Sequence, residues 1–246
     1  MLPIRDHNPS RAMPFVTWAL IAANILIFIS YWPLFDQPFA LQRFFETWGL
    51  VPAQSTAQPL GFITSMFLHG GVMHLFGNML FLWIFGDNME EEMGHLGFLA
   101  FYLATGIAAA LGQIAADPAS QVPMVGASGA IAGVMGGYLL LFPKARVDVL
   151  IFLVIFVRII PVPAWIVLGF WFGSQIVSGS LASAELGGGA YWAHAGGFLA
   201  GVALSLKVWL SRGGAGFWRR TEGHPPHAEA SYRYVRTSVP RVPRRR

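Results

Sequence analysis

The chain has 246 residues, of which 55% are hydrophobic and only 11% are charged. A soluble domain has about 25% charged residues, so this composition excludes an ordinary soluble protein and indicates an integral membrane protein. The chain has no cysteine, which excludes disulfides, thiol nucleophiles and cysteine-ligated metals.

Six apolar segments are predicted to span the membrane, because each span takes roughly 20 residues and the length allows about six. They cover residues 14–31, 69–85, 96–115, 128–142, 163–179 and 191–210. The predicted class is therefore an all-α polytopic membrane protein, a six-helix bundle over residues 14–210. Residues 1–13 are predicted to be a cytoplasmic N-terminal segment, and residues 211–246 a basic, disordered cytoplasmic tail.

Two connections between the spans are unusual. Residues 32–68 carry many aromatic side chains, so we expect them to lie in the outer membrane interface. Residues 147–160 form an apolar run too short for an ordinary span and are predicted to be interfacial or re-entrant. The alternative of a seventh span here would place His194 in the opposite leaflet from Ser128 and the basic tail outside. Both consequences count against it.

The charge distribution sets the expected orientation. Nine of the sixteen lysines and arginines follow Leu210, and with the amino end inside only Arg43 lies on the outer side. This agrees with the tendency of cytoplasmic segments to be basic. The pI is about 9.8. We expect the basic residues responsible for it to contact the lipid bilayer and not a nucleic acid.

Four polar residues fall at similar depth in the outer leaflet. His74 and Asn78 lie early in the second span, Ser128 begins the fourth and His194 lies early in the sixth. Packing alone would account for a small residue such as Ser128, because small residues allow helices to approach closely. Histidine and asparagine in apolar spans instead indicate a functional site.

These residue types suit acyl-transfer chemistry. The Ser128 hydroxyl needs a base to become a nucleophile, and His194 is the candidate base. His74 and Asn78, four residues apart on one helix face, and the Ser128 amide are candidate donors to the oxyanion. No carboxylate lies in a predicted span, so a Ser-His dyad is preferred, with Asp117 and Glu185 in outer loops as the alternatives for a third member.

Three short motifs occur in order within residues 14–210. They are His69 with Met73-His74 and Asn78, then Gly126-Ala127-Ser128-Gly129, then Ala193-His194 followed by Gly197 and Gly201. Together they resemble the rhomboid intramembrane serine proteases. The resemblance implies a six-helix fold and a protease activity that cleaves transmembrane segments of other proteins near the outer face. The proposed chemistry requires no cofactor.

The resemblance also implies residue roles. Ser128 would be the nucleophile, His194 the base, and His74, Asn78 and the Ser128 amide the oxyanion donors. The secondary site candidates are His69, Gly126, Gly197 and Gly201. Glu90 with Gly94 is similar to a structural pattern of the family, and Pro163-Ala164-Trp165 to the start of its substrate-gating fifth helix. Some members stack a tyrosine on the catalytic histidine, and here that position is Ala132.

Two other functions are weighed. Inactive rhomboid-like proteins bind membrane clients, but they typically lack the serine or the histidine. A transporter would need ionisable residues along a path between the two faces, whereas His74, Ser128 and His194 cluster at one depth. The expected partners are transmembrane protein substrates, and in a bacterium the expected location is the cytoplasmic membrane.

Overall fold

The computed structural model describes residues 2–153, 156–181 and 190–232. The elements of this part of the chain follow one another from the amino end. They are β1 Leu2–Asp6, α1 Phe15–Tyr31, α2 Pro38–Trp48, α3 Gly61–Thr64, α4 Val72–Met93, α5 His95–Ala116, α6 Ser128–Leu141, β2 Arg146–Leu153, β3 Phe156–Pro163, α7 Ala164–Leu181, α8 Tyr191–Ser211 and α9 Ala215–Thr221.

The helices confirm a mostly helical polytopic membrane protein. Within the described residues, four are long and apolar enough to cross a bilayer, namely the one beginning at Phe15, α5, α7 and α8. A fifth, α4, meets the same test together with the short Gly61–Phe67 segment, from which it is bent by 96°. The fourth predicted span, α6, has only 14 residues, and so the count of six spans stays a prediction.

Backbone-to-backbone packing joins α6 to α8 at the centre of the fold. A methyl group added at Gly197 would collide with the carbonyl oxygen of Gly129, and one at Gly201 with that of Gly133. A methyl at Gly136 would meet the Phe198 carbonyl in the same way. In lipid, where apolar burial drives helix association weakly, such close approach supplies the packing contacts.

The amino end of α1 is held by Glu90 from α4. The buried Glu90 carboxylate accepts hydrogen bonds from the Val16 and Thr17 amides, both at 2.8 Å, and from the Thr17 hydroxyl at 2.7 Å. It thereby satisfies first-turn amides that have no partner within the helix and complements the positive helix end. His95, the first residue of α5, also contacts this carboxylate.

Residues 147–153 and 156–160 lie in a three-stranded antiparallel sheet in the order β1-β2-β3, while their interfacial or re-entrant position in the membrane stays a prediction. The run divides into two strands, with Val149 of β2 opposite Ile160 of β3. Strands are favoured because the run is rich in β-branched residues. In β2, Val147 and Val149 are buried in the core, while Asp148 bonds to Arg5 at 2.7 Å and His7 at 2.9 Å.

The tail also differs from its prediction as far as residue 232. It forms α9 and then returns to the sheet, where the Ala230 amide donates to the His7 carbonyl at 2.9 Å. The Tyr232 ring lies 3.8 Å from the Arg5 guanidinium carbon. Composition alone predicts a disordered tail, because ordering a chain costs conformational entropy. The contacts with the sheet offset this cost as far as residue 232.

The first testable prediction concerns the α6–α8 contact. Gly201→Ala should destabilise the protein by about 1–3 kcal/mol, because its methyl meets the Gly133 backbone, which cannot move aside easily. The matched control is Gly173→Ala in α7, where an added methyl meets nothing within 4 Å. The measurement is thermal unfolding in detergent, followed by tryptophan fluorescence; equal effects of both variants would contradict the packing argument.

The second prediction concerns Asp6 in β1. Burial, with a contribution from the charge of Asp87, raises the pKa of Asp6 from 3.8 to about 8, although the Tyr138 hydroxyl donates to it at 2.7 Å. Because folding favours the protonated form, its stabilisation is complete below about pH 4 and is lost as the pH rises to about 8. Asp6→Asn should therefore exceed the wild type in melting temperature by more at about pH 9 than at about pH 5. A gap independent of pH would refute this assignment.

Candidate active site

Ser128 stands at the first position of α6, directly after a tight backbone turn. The turn depends on Gly126, whose φ of +134° is disfavoured for other residues, and the Gly126 amide donates to the Ser65 carbonyl at 2.9 Å. Ser128 is partly exposed, whereas Gly129 and Ala130 behind it are buried. The hydroxyl is thus presented at an opening and the rest of the helix is fixed in the core.

His194 lies one turn into α8 and meets Ser128. Its Nε2 atom is 2.8 Å from the Ser128 Oγ atom, although the two residues are 66 positions apart in the sequence. The close α6–α8 packing at Gly129 and Gly197 makes this approach feasible. Gln113 of α5 adds to it by accepting a hydrogen bond from the Ala193 amide at 3.2 Å, which fixes the start of α8.

The other side of the His194 ring faces α7. Its Nδ1 atom is 2.8 Å from the Gln175 Oε1 atom. The Trp171 ring, one turn earlier in α7, lies against the imidazole with 5.7 Å between ring centroids and a tilt of 41°. An aromatic ring from α7 therefore contacts the histidine in this protein, where Ala132 of α6 offers none.

His74 reaches the same region from α4. A methyl group added at Gly126 would lie 2.9 Å from the His74 Nε2 atom and 3.4 Å from the Ser128 Oγ atom, so both groups border the Gly126 α-carbon. His74 is exposed. Asn78 follows one turn later, is largely buried, and donates from Nδ2 to the His74 carbonyl at 3.1 Å.

The remaining predicted residues lie next to His74 or in the contact between α6 and α8. His69 is fully buried beside His74, with 5.1 Å between the rings, and its backbone amide and carbonyl both bond to the Tyr31 hydroxyl. Gly197 and Gly201 serve the α6–α8 contact. A cavity of about 30 Å³ beside Ser128, bordered by Ser65 and Gly126, has room for about one water molecule.

Of the two carboxylates proposed as a third member, only Asp117 lies within the described residues. Asp117 terminates α5, and its carboxylate makes no hydrogen bond to His194. Glu185 lies outside the described residues. Across residues 2–153, 156–181 and 190–232, no group of three or more histidines and acids is arranged to hold a metal ion.

Comparison with known proteins identifies the family of the chain. A family model described as the Rhomboid domain matches residues 56–211, more than half of the chain. The chain belongs to the rhomboid family. The matched range begins before α4 and ends with α8, so it contains Ser128, His194, His74 and Gln175.

Individual relatives show the same relationship. This rhomboid is 29% identical over 197 residues to Rhomboid protein 1, mitochondrial, of Saccharomyces cerevisiae, which covers 78% of this chain and 53% of the yeast protein. It is 33% identical over 132 residues to the Putative rhomboid protease YdcA of Bacillus subtilis, covering 47% and 66% respectively. To the Rhomboid protease GluP of the same bacterium it is 44% identical over 77 residues, covering 31% and 15%. The chain spans about half the length of several curated relatives it matches.

Two residues of the rhomboid site were missed by the sequence analysis. Gln175 and Trp171 both face His194, yet no recognised spacing connects them with it. The available signal was the cost of placing an amide within an apolar helix, where an unpaired polar group is disfavoured. That cost indicated a partner for Gln175 without identifying it.

The third prediction tests how tightly Gly126 is confined. Gly126→Ala should slow labelling of Ser128 by a fluorophosphonate at least about 10-fold, because the backbone at φ +134° must change and the methyl would press on His74. Gly77→Ala in α4, where an added methyl meets nothing within 4 Å, is the control and should label at the wild-type rate. Unchanged labelling of Gly126→Ala would mean that the turn does not confine Ser128.

Proposed function

We propose that this rhomboid is an intramembrane serine endopeptidase that cleaves transmembrane segments of membrane proteins near the outer face. The observation that carries the proposal is the 2.8 Å hydrogen bond between Ser128 Oγ and His194 Nε2 at the partly exposed start of α6. Two relatives named as rhomboid proteases support the same activity class.

The proposed first step forms an acyl-enzyme. Ser128 Oγ attacks the scissile carbonyl carbon while its proton passes to His194 Nε2, giving a tetrahedral intermediate and an imidazolium. The imidazolium then gives this proton to the departing amine as the C–N bond breaks. In the second step His194 takes a proton from water and the resulting hydroxide attacks the ester carbon, giving a second tetrahedral intermediate. The bond between that carbon and Ser128 Oγ then breaks, the carboxylic acid product leaves, and His194 returns the proton to Ser128 Oγ.

Three donors are available for the oxyanion in this proposal. The Ser128 amide lies in the first turn of α6, where amides lack intrahelical partners and the helix end is positive. His74 borders the same space at Gly126. Asn78 uses one hydrogen of its amide for the His74 carbonyl and retains a second. Donors preorganised in a site with little water stabilise developing charge strongly.

Substrate and location follow from the setting of the pair. Ser128 is the first residue of α6 and His194 lies in the first turn of α8, in an integral membrane protein. We therefore propose that the substrate is another membrane protein, which reaches the site through the bilayer. A peptide bond within a helix is shielded, and the substrate must unwind at the cleaved bond. In a bacterium the membrane would be the cytoplasmic one. The chemistry requires no metal or organic cofactor.

The fourth prediction is loss of cleavage in proteoliposomes containing a generic transmembrane substrate. Ser128→Ala and His194→Ala should each lower the cleavage rate by about 10⁴-fold or more, because the two groups act as one unit. Ser180→Ala, an exposed change on α7, is the control for folding and reconstitution and should cleave as the wild type does.

Gel analysis of the cleavage products distinguishes the outcomes. Cleavage retained in Ser128→Ala would refute the proposed nucleophile. Absence of cleavage by the wild type across several substrates, with binding of those substrates retained, would instead favour the client-binding role of inactive rhomboid-like proteins.

A further inference from the structure

The orientation of the Gln175 amide is fixed by its surroundings. Its Nε2 atom lies 3.3 Å from the Trp171 carbonyl oxygen and 3.1 Å from the Ser174 hydroxyl. A carbonyl can only accept a hydrogen bond, so the NH₂ end must face Trp171. The Oε1 end therefore faces His194, at 2.8 Å from Nδ1.

This orientation selects one form of the neutral imidazole. Oε1 is an acceptor, so His194 must carry its proton on Nδ1 and leave the Nε2 lone pair free. That lone pair is the one 2.8 Å from the Ser128 hydroxyl. The opposite tautomer would place N–H toward Ser128 and two acceptors against each other at Gln175, and it could not take the serine proton.

The helix that carries Gln175 is packed more loosely than its neighbours. Of the 18 residues of α7, all of them described, only Ala164 and Leu168 are buried. Methyl groups added at Gly169 or Gly173 would meet nothing within 4 Å, and one at Gly179 would meet side chains of Tyr191 and Trp192, whereas glycines of α6 and α8 face backbone. Contact with α8 depends on a few side chains, including Phe172, which stacks on Phe198 with 4.5 Å between ring centroids.

We propose that Gln175 is the positioning residue of the Ser128–His194 pair and that the pair is competent only while α7 lies against α8. The inference rests on the proposed function and extends it to a residue outside the dyad. Gln175 holds the Nδ1–H tautomer, and Trp171 on the same helix holds the plane of the ring. Separation of α7 from α8 removes both supports together, whereas Ser128 and His194 stay joined by the α6–α8 contact.

The first experiment measures labelling of Ser128 by a fluorophosphonate, using the full chain in detergent. This small probe needs no passage for a substrate helix, so its rate reports activation of the serine alone. Gln175→Leu should slow labelling about 10²-fold, the effect expected of a misplaced catalytic group. Gln175→Glu keeps an acceptor oxygen and should recover most of the rate, whereas Ser180→Ala should leave it unchanged.

A second measurement does not depend on activity. In protein labelled with ¹⁵N-histidine, ring nitrogen shifts distinguish the two tautomers, and His194→Ala identifies the resonances of His194. The wild type and Gln175→Glu should show the Nδ1–H form, while Gln175→Leu should show a mixture. Phe172→Ala, which removes an α7–α8 contact without touching His194, should also give a mixture and slower labelling.

Each outcome bears on a separate claim. A wild-type labelling rate in Gln175→Leu, with the Nδ1–H form retained, would overturn the positioning role. Unchanged labelling and tautomer in Phe172→Ala would overturn the dependence on α7. If wild-type Ser128 is not labelled above Ser128→Ala, the proposed protease function fails, and the tautomer measurement still decides the role of Gln175.

Discussion

The contact between the backbones of α6 and α8 is the constraint on which the rest of the molecule depends. Glycines on both helices let the carbonyl oxygens of Gly129 and Gly133 lie directly against Gly197 and Gly201. Side chains at these positions would hold the helices apart. The hydrogen bond between Ser128 and His194 would then lengthen and weaken. The 2.8 Å separation of Ser128 and His194 is therefore a property of the interface as much as of the two residues. The same glycines that serve packing also bring Ser128 and His194 within hydrogen-bond distance.

Much of the helical framework could be predicted from hydropathy. The predicted spans agree with α1, α5, α7 and α8 to within two residues at most ends, and the shortness of α6 followed from the proline and lysine after it. Ser128, His74 and His194 were also identifiable, because polar groups in apolar helices carry a cost that packing does not repay. Their common depth in the membrane is a prediction that follows from the predicted topology. The family resemblance then implied the same candidate roles that the residue chemistry suggested.

The remaining features depend on tertiary contacts that no local pattern records. Residues 147–160 were judged by length, whereas their β-branched composition and the partner strand β1 favour the antiparallel strands β2 and β3. The tail was judged by composition, yet it is ordered through Tyr232 and the pairing of Ala230 with His7. Gln175 lies 19 residues before His194, and no fixed spacing relates positions on two separate helices. Local periodicity therefore finds elements and leaves their partners undetermined.

The third group at His194 is a neutral amide, in a place where soluble serine proteases use a carboxylate. An aspartate at the centre of a transmembrane helix costs about 2.5–3.5 kcal/mol on insertion scales, and a helix with so few buried residues would carry that charge close to lipid. An amide provides the same acceptor oxygen without a net charge. The lipid-facing helix can thus contribute to the hydrogen-bond chain and remain soluble in hydrocarbon. The bilayer, acting as solvent, in this way limits which side chains can complete a serine–histidine pair.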